Sequence, residues 1–309
     1  MESFVRELAS QFGVKFSDVR IPTHAVLAKV FLLDHRYVLR GRPLAEQTIR
    51  EFNEELLLID RVRSLVPFEF PNPLVSITGE RALQFDGWLW TIYPQLQGNI
   101  LGTWQEGTAL PLDGTKKVLD AMRLLHERTK GHFSAPKRLW LSQNVGAMIE
   151  SDVSVLDAND RTFLREATDR IDLHAASLSS EQCCFVHGDF HHGNVLTDTS
   201  GTIVGLLDIN WCRVGHPLED LTYALTMFMS DYPGPQAFVF DDQRLQALVR
   251  IYDSSLTIDR FFWDMYALAT AFDIFLFKSL KTEQAEWYAQ HRLALLHAIF
   301  DRSVGYAKK

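Results

Sequence analysis

Apolar residues recur at three- and four-residue intervals between Glu2 and Phe12, with Phe4, Val5, Leu8 and Phe12 on one side. This spacing predicts an opening helix that ends near Gly13. The rhythm then changes. Ala25 to Leu33 and Tyr37 to Arg40 are rich in β-branched and apolar residues and meet at Asp34-His35-Arg36, the pattern of a strand hairpin. Residues 49–62, I-R-E-F-N-E-E-L-L-L-I-D-R-V, return to helical spacing. Trp88 to Tyr93 reads as a further strand, interrupted by Pro94-Gln95-Leu96-Gln97-Gly98. Beyond that break helices dominate, over Gly114 to Lys130, Ala158 to Ser177 and a third group at 243–309. The greasiest run, Phe261 to Phe277, is broken by Asp264, Thr270 and Asp273 and predicts a buried helix rather than a membrane span. Strands before residue 97 and helices after it define an α+β chain with expected domains over 1–97 and 98–309.

The stretch from Phe185 to Asp208 carries the chemistry. Val195 to Thr197 reads as a short strand, Asp198 to Gly201 as a turn and Thr202 to Leu207 as the returning strand. Antiparallel pairing would set Asn194, just before the first strand, beside Asp208, just after the second. Asp189 lies on the loop that feeds the same point. Two carboxylates and an amide so arranged suit phosphoryl transfer from a magnesium nucleotide, because magnesium takes hard oxygen donors and shares its shell with water and phosphates. Asp189 would receive the hydroxyl proton, and Asn194 and Asp208 would hold Mg2+. His187 and His191 also have the spacing of a helical zinc pair. Gly188 and Gly193 oppose a helix there, and no cysteine spacing completes a four-ligand set.

These residues resemble the aminoglycoside phosphotransferase and choline kinase-like family, relatives of the protein kinases. The family's H-G-D-x-H-x-x-N stands here as His187-Gly188-Asp189-Phe190-His191-His192-Gly193-Asn194, its metal-binding Asp as Leu207-Asp208-Ile209-Asn210, and its G-x-P-x-x-D-L as Gly215 to Leu221. The resemblance implies a two-lobed protein-kinase-like fold, with a small antiparallel-sheet N-lobe and a mainly helical C-lobe. It also implies Asp189 as catalytic base, Asn194 and Asp208 as metal ligands, and Asp220 as a buried brace for the catalytic loop. ATP is the implied phosphoryl donor, with GTP left open. Pro94 and Leu96 take the hinge positions that meet the adenine, the first through its carbonyl and the second through its N–H.

Two departures from the family pattern fall in the N-lobe. The lid I-P-T-H-A-V-L-A-K-V-F, residues 21–31, has no glycine, so it lacks the cradle by which a Gly-rich loop approaches phosphates. Arg40 stands where the family places a lysine, and Lys29 on the preceding strand is an alternative. An arginine keeps its charge and can bridge carboxylate and phosphate through its planar fork. Glu51, Glu54 and Glu55 are candidates to pair with it; the resemblance, in which the glutamate stands four and seven residues before apolar positions, implies Glu55 ahead of Ile59 and Val62.

Only eleven residues separate Asp208 from Asp220, and no A-P-E follows, so a platform for a peptide substrate is not expected. The expected function is an ATP-dependent phosphotransferase acting on a small-molecule hydroxyl acceptor: an aminoglycoside, an amino alcohol, a choline-like amine or a sugar. Asp264 and Asp273 are candidates to meet a cationic acceptor, although nine residues along a helix place them on opposite sides. Trp104, Trp211 and Trp263 are candidates for an aromatic cage. The alternative is a catalytically weak or inactive nucleotide-binding module that works through a partner, favoured by Arg40 and the glycine-free lid.

Composition adds boundaries. A chain of 309 residues, 47% hydrophobic, can bury a full core without metal or disulfide staples. A net charge of −8 with no dense basic run speaks against general nucleic-acid binding. Three cysteines, Cys183, Cys184 and Cys212, without C-x-x-C spacing fit reduced thiols. With no secretion signal or membrane span expected, the expected compartment is the cytoplasm. Oligomeric state is left unknown by the sequence.

Overall fold

A computed structural model describes residues 2–22, 29–102, 112–151, 155–229, 240–280 and 282–306. The chain forms two units, one from Met1–Asn99 with Leu196–Asn210 and the other from Ile100–Val195 with Trp211–Lys309.

In the first unit, α1 (Glu2–Gln11) is followed by β1 (Val19–Arg20), β2 (Lys29–Leu33) and β3 (Tyr37–Pro43), then α2 (Glu46–Val62), β4 (Leu83–Phe85) and β5 (Trp88–Pro94). The five strands make one antiparallel sheet in the order β1-β2-β3-β5-β4. Ala25 to Ala28 of the expected first strand lie outside the described residues, as does the stretch 23–28 of the lid. The hairpin turn forms at Asp34 and His35, both in the left-handed region with φ of 51° and 53°. The Asp34 carboxylate accepts the backbone N–H groups of Ser17 at 2.9 Å and Asp18 at 2.6 Å, tying the edge strand β1 to the turn. Strand alternation sorts the two faces. Leu39, Trp90 and Ile92 join Val5, Leu8 and Phe12 of the N-terminal helix in one core. Gly41 belongs to that face because a Cβ there would stand 2.7 Å from the Trp90 ring. Arg40 and Arg42 fall on the opposite face of β3, and α2 contributes Phe52, Glu55, Ile59 and Val62 as its buried stripe.

The chain then runs through β6 (Asn99–Ile100), α3 (Leu112–Thr129), α4 (Trp140–Ser151), α5 (Ala158–Ala175) and β7 (Cys184–Val186). Next come β8 (Val195–Thr197), β9 (Ile203–Leu206), β10 (Arg213–Gly215), α6 (Leu218–Phe228), α7 (Asp242–Tyr252), α8 (Arg260–Leu280) and α9 (Glu283–Tyr306). The central helix of the second unit is α8, buried without a break from Phe262 to Phe275 and packed against α4, α5, α6 and α9. This is how an apolar run behaves when it is surrounded by protein. No described helix is long and apolar enough to cross a membrane. The expected hairpin also forms, β8 and β9 being neighbours, with Asp198 Oδ1 accepting the N–H of Ser200 at 2.8 Å and of Thr202 at 2.9 Å across the turn.

Candidate functional site: the catalytic loop and the β3 arginines

The loop from His187 to Asn194 is held at its start by Asp220, which is fully buried on α6. One carboxylate oxygen accepts the Gly188 N–H at 2.7 Å, and the other accepts the His187 N–H at 2.8 Å and faces His126 Nε2 at 3.0 Å. His126 Nδ1 in turn meets the Tyr252 hydroxyl at 2.7 Å. Burial alone would raise the Asp220 carboxyl; the His126 hydrogen bond and charge, with His187 and Arg213 behind it, outweigh that and hold it below its ordinary value. The loop also needs a glycine. Gly188 has φ of 86°, and a Cβ there would lie 2.5 Å from the Trp211 carbonyl oxygen.

Asp189 follows, and its carboxylate is partly screened from solvent. Asn194 Nδ2 donates to Asp189 Oδ2 and to its carbonyl oxygen, both at 2.9 Å. The Gly193 N–H donates to His191 Nδ1 at 3.0 Å, and His191 Nε2 stands 3.1 Å from Asn194 Nδ2 and 3.5 Å from Asp189 Oδ1. Burial pushes the Asp189 carboxyl up, but the charge and hydrogen bond of His191, the charge of His187 and the Asn194 amide together hold it below the usual carboxylate value. His192, by contrast, is pushed down to about 4 by burial and by His191. Asp189 and Asn194, predicted as base and metal ligand, therefore meet directly. Both contacts use the Asn194 amide nitrogen, so its oxygen is not engaged with Asp189.

In the first unit the ion pairs differ from the sequence expectation. Glu55 pairs with Arg42 through two parallel hydrogen bonds of 3.0 and 2.7 Å. Arg40 instead reaches Asp208, its Nη1 standing 3.1 Å from Oδ1. The cause is the two-residue period of β3, which gives both arginines the same face and leaves reach along α2 to choose between them. Each buried charge of the Arg42–Glu55 pair is sustained by the other. Lys29, the alternative cation, lies over the Trp88 ring at 4.0 Å. Asp208 has φ of 54°, in the left-handed region that aspartate tolerates, and its side chain is 42% exposed. It also accepts from Asn210 Nδ2. The Arg40 Nε is buried without a hydrogen-bond partner. Pro94 ends β5, and with Leu96 it lines a cavity of about 390 Å³ that also includes Arg63, Phe68 and Phe70.

The acidic residues proposed for a cationic acceptor are already paired. Asp264 receives Arg170 at 2.7 and 2.9 Å and Arg260 at 3.0 Å. Asp273 receives Arg292 at 2.5 Å and the Tyr223 hydroxyl at 3.5 Å. Trp263 is buried beside Phe262 and Tyr266, and Trp211 is half-exposed against Trp140 and Phe272. Trp104 lies outside the described residues. Among the described residues, no group of three or more His, Cys, Asp and Glu is gathered to hold a metal ion. Arg42, His126 and Arg292 escaped the sequence reading; only Arg42 left a signal, its place two residues from Arg40 on an alternating strand.

An antiparallel five-stranded sheet followed by a mainly helical region is a kinase-like fold. The family model described as "Phosphotransferase enzyme family" matches residues 19–253, and the chain belongs to that family. Among solved structures, a microcompartment-associated aminopropanol kinase is 16% identical, with a TM-score of 0.70 and 98% of each chain covered. The GDP and kanamycin complex of APH(2")-IIia is 16% identical, with a TM-score of 0.67 over 98% of this chain and 99% of the other. A thermostable mutant of the aminoglycoside phosphotransferase APH(4)-Ia is 19% identical, with a TM-score of 0.64 over 99% of this chain and 100% of the other. No curated protein matches the chain.

Proposed function

We propose that this protein transfers the γ-phosphoryl group of ATP to a hydroxyl of a small molecule. The observation that carries the reading is Asp189: a carboxylate held in its ionised form, oriented by Asn194 and His191, on a loop whose backbone is pinned by a buried acid. The acceptor oxygen bonds to the γ-phosphorus as the bond to the β,γ-bridging oxygen breaks. The diphosphate leaves with that electron pair, and the hydroxyl proton passes to Asp189. A carboxylate with a lowered pKa is a weak base, so its main task is to aim the hydroxyl while the bond to the leaving group loosens.

Asn194 and Asp208 are the proposed Mg2+ ligands. An amide oxygen not engaged with Asp189 and a half-exposed carboxylate fit a metal that takes few protein ligands. When bound, the ion offsets the charge on the phosphate oxygens. Arg42 and Glu55 keep each other in place on the sheet, Arg40 is the cation proposed for the phosphates, and Pro94 and Leu96 are proposed for the adenine. Solved relatives carry GDP or ADP in their complexes, so the donor assay takes both ATP and GTP.

A second reading, a catalytically weak nucleotide-binding module, is favoured by one observation: the Arg40 guanidinium is paired with Asp208, a residue the reaction needs. Diphosphate release across a panel of hydroxyl acceptors separates the two. The enzyme reading expects acceptor-dependent release that Asp189→Ala lowers by about a hundred- to ten-thousand-fold. Nucleotide binding without release from any acceptor would establish the module.

A further inference from the structure

The surroundings of Asp189 in the second unit favour one kind of acceptor. Any ammonium group carried into a partly buried site needs a carboxylate to replace its water. Among the described residues, every buried carboxylate of this unit already has an internal partner. Asp160 faces His297 at 3.1 Å, Glu219 faces Arg213 at 3.1 Å and Asp220 faces His126 at 3.0 Å. Asp264 takes Arg170 and Arg260, and Asp273 takes Arg292, with both members of that last pair fully buried.

Asp273 holds the Tyr223 hydroxyl at 3.5 Å as well as Arg292. Tyr223, which bonds Asp273, has its hydroxyl pushed up by burial and then by the charges of Asp273 and Asp189 together. Asp273, fully buried, is thus already matched by the protein's own guanidinium.

An aromatic wall adjoins the same loop. A Cβ on Gly188 would stand 2.7 Å from Trp211 Cβ, so Trp211 abuts the residue that precedes Asp189. Trp211 packs on Phe272 with centroids 5.4 Å apart and on Trp140 at 6.4 Å, while Phe272 also meets Tyr223 at 6.2 Å. Phe272 and Tyr223 are buried, whereas Trp140 and Trp211 are half-exposed. The wall is not open to a second cation at Trp140: the Arg213 guanidinium lies 4.4 Å from that ring and is itself paired to Glu219.

Resting on the kinase reading above, we propose that the acceptor is an uncharged hydroxyl compound with a flat apolar face, such as a sugar ring, that lies against Trp211. Trp211 then sets specificity by stacking, and because the buried acids of this unit are matched by the protein's own cations, Asp189 alone is left to offset an ammonium while it also aims the hydroxyl, which disfavours ammonium-bearing analogues.

The test uses the full chain with matched acceptors that share their hydroxyls and differ in charge: glucosamine against N-acetylglucosamine, and aminoglycosides against their N-acetylated forms. The read-out is diphosphate release. The uncharged member of each pair should show the higher kcat/KM, by at least about tenfold. Trp211→Ala should raise the acceptor KM by about tenfold while the nucleotide KM stays level, and Trp211→Phe should restore it. Preference for the ammonium-bearing members, or an acceptor KM indifferent to Trp211→Ala, overturns this inference and leaves the kinase reading standing. Absence of release from every member of the panel overturns both.

Discussion

Replacing Asp220 with asparagine keeps the size of the side chain but removes one of its two acceptors. The native carboxylate receives the N–H groups of His187 and Gly188 on separate oxygens; an asparagine has one carbonyl oxygen and turns an NH2 toward the other donor. One buried backbone N–H is then left without a partner, at a cost of about 1–3 kcal/mol. At roughly 2–4 °C per kcal/mol, the melting temperature should fall by about 2–12 °C. Catalysis should suffer more, because the released amide, at His187 or Gly188, lies within two residues of Asp189, and a displacement of about 1 Å can cost about a hundredfold in rate. Thermal melting by circular dichroism and steady-state diphosphate release measure the two effects. The pH dependence has a definite sign. The folded Asp220 carboxyl is held low, so its stabilisation is complete above its unfolded value, about pH 4, and is lost as pH falls through the depressed folded value. The variant should lose that acid-side contribution. A variant that melts with the parent and keeps its kcat would refute the bracing role.

Three further outcomes follow from the same geometry. Glu55→Gln leaves the Arg42 guanidinium buried without its counter-charge and should cost about 3–5 kcal/mol, read by urea unfolding; an unchanged midpoint would contradict the pair. Gly188→Ala combines a left-handed backbone with a Cβ 2.5 Å from a carbonyl oxygen, so it should abolish turnover and destabilise by more than about 1–2 kcal/mol, and an active, stable variant would refute it. Because the Asp189 carboxyl is held below its ordinary value, kcat/KM should stay level as pH falls to about 4 and decline only below it, whereas an acid limb near neutrality would assign another group as base.

The sequence reached some of these features because they are local. The turn at Asp198 to Gly201, the family's helical spacing that picked out Glu55 and the apolar run that became α8 all lie within one element and its own period. What escaped it depends on partners far along the chain. Alternation assigns Arg40 and Arg42 to one face of β3 but cannot say which of them reaches Glu55, a choice made by the packing of α2. Arg260 stands one helical turn before Asp264 on α8 itself, but the other arginines that close off Asp264 and Asp273 come from α5 and α9, and the imidazole on Asp220 comes from α3, so no spacing announced these. Strands of two or three residues, such as β1, β7 and β10, are too short to show a period. Helix α4, W-L-S-Q-N-V-G-A-M-I-E-S, was hidden by its Ser, Asn and Gly, which favour turns until tertiary packing overrides them.

The central claim is that Asp189 aims an acceptor hydroxyl at a nucleotide's terminal phosphoryl group. Its most direct test pairs phosphorus NMR of the product with nucleotide affinity for the parent and for Asp189→Asn. The account predicts a phosphorylated acceptor from the parent, and from the variant an unchanged nucleotide affinity with a rate lower by about a hundredfold or more. Phosphorylated acceptor formed by Asp189→Asn at the parent's rate would contradict it.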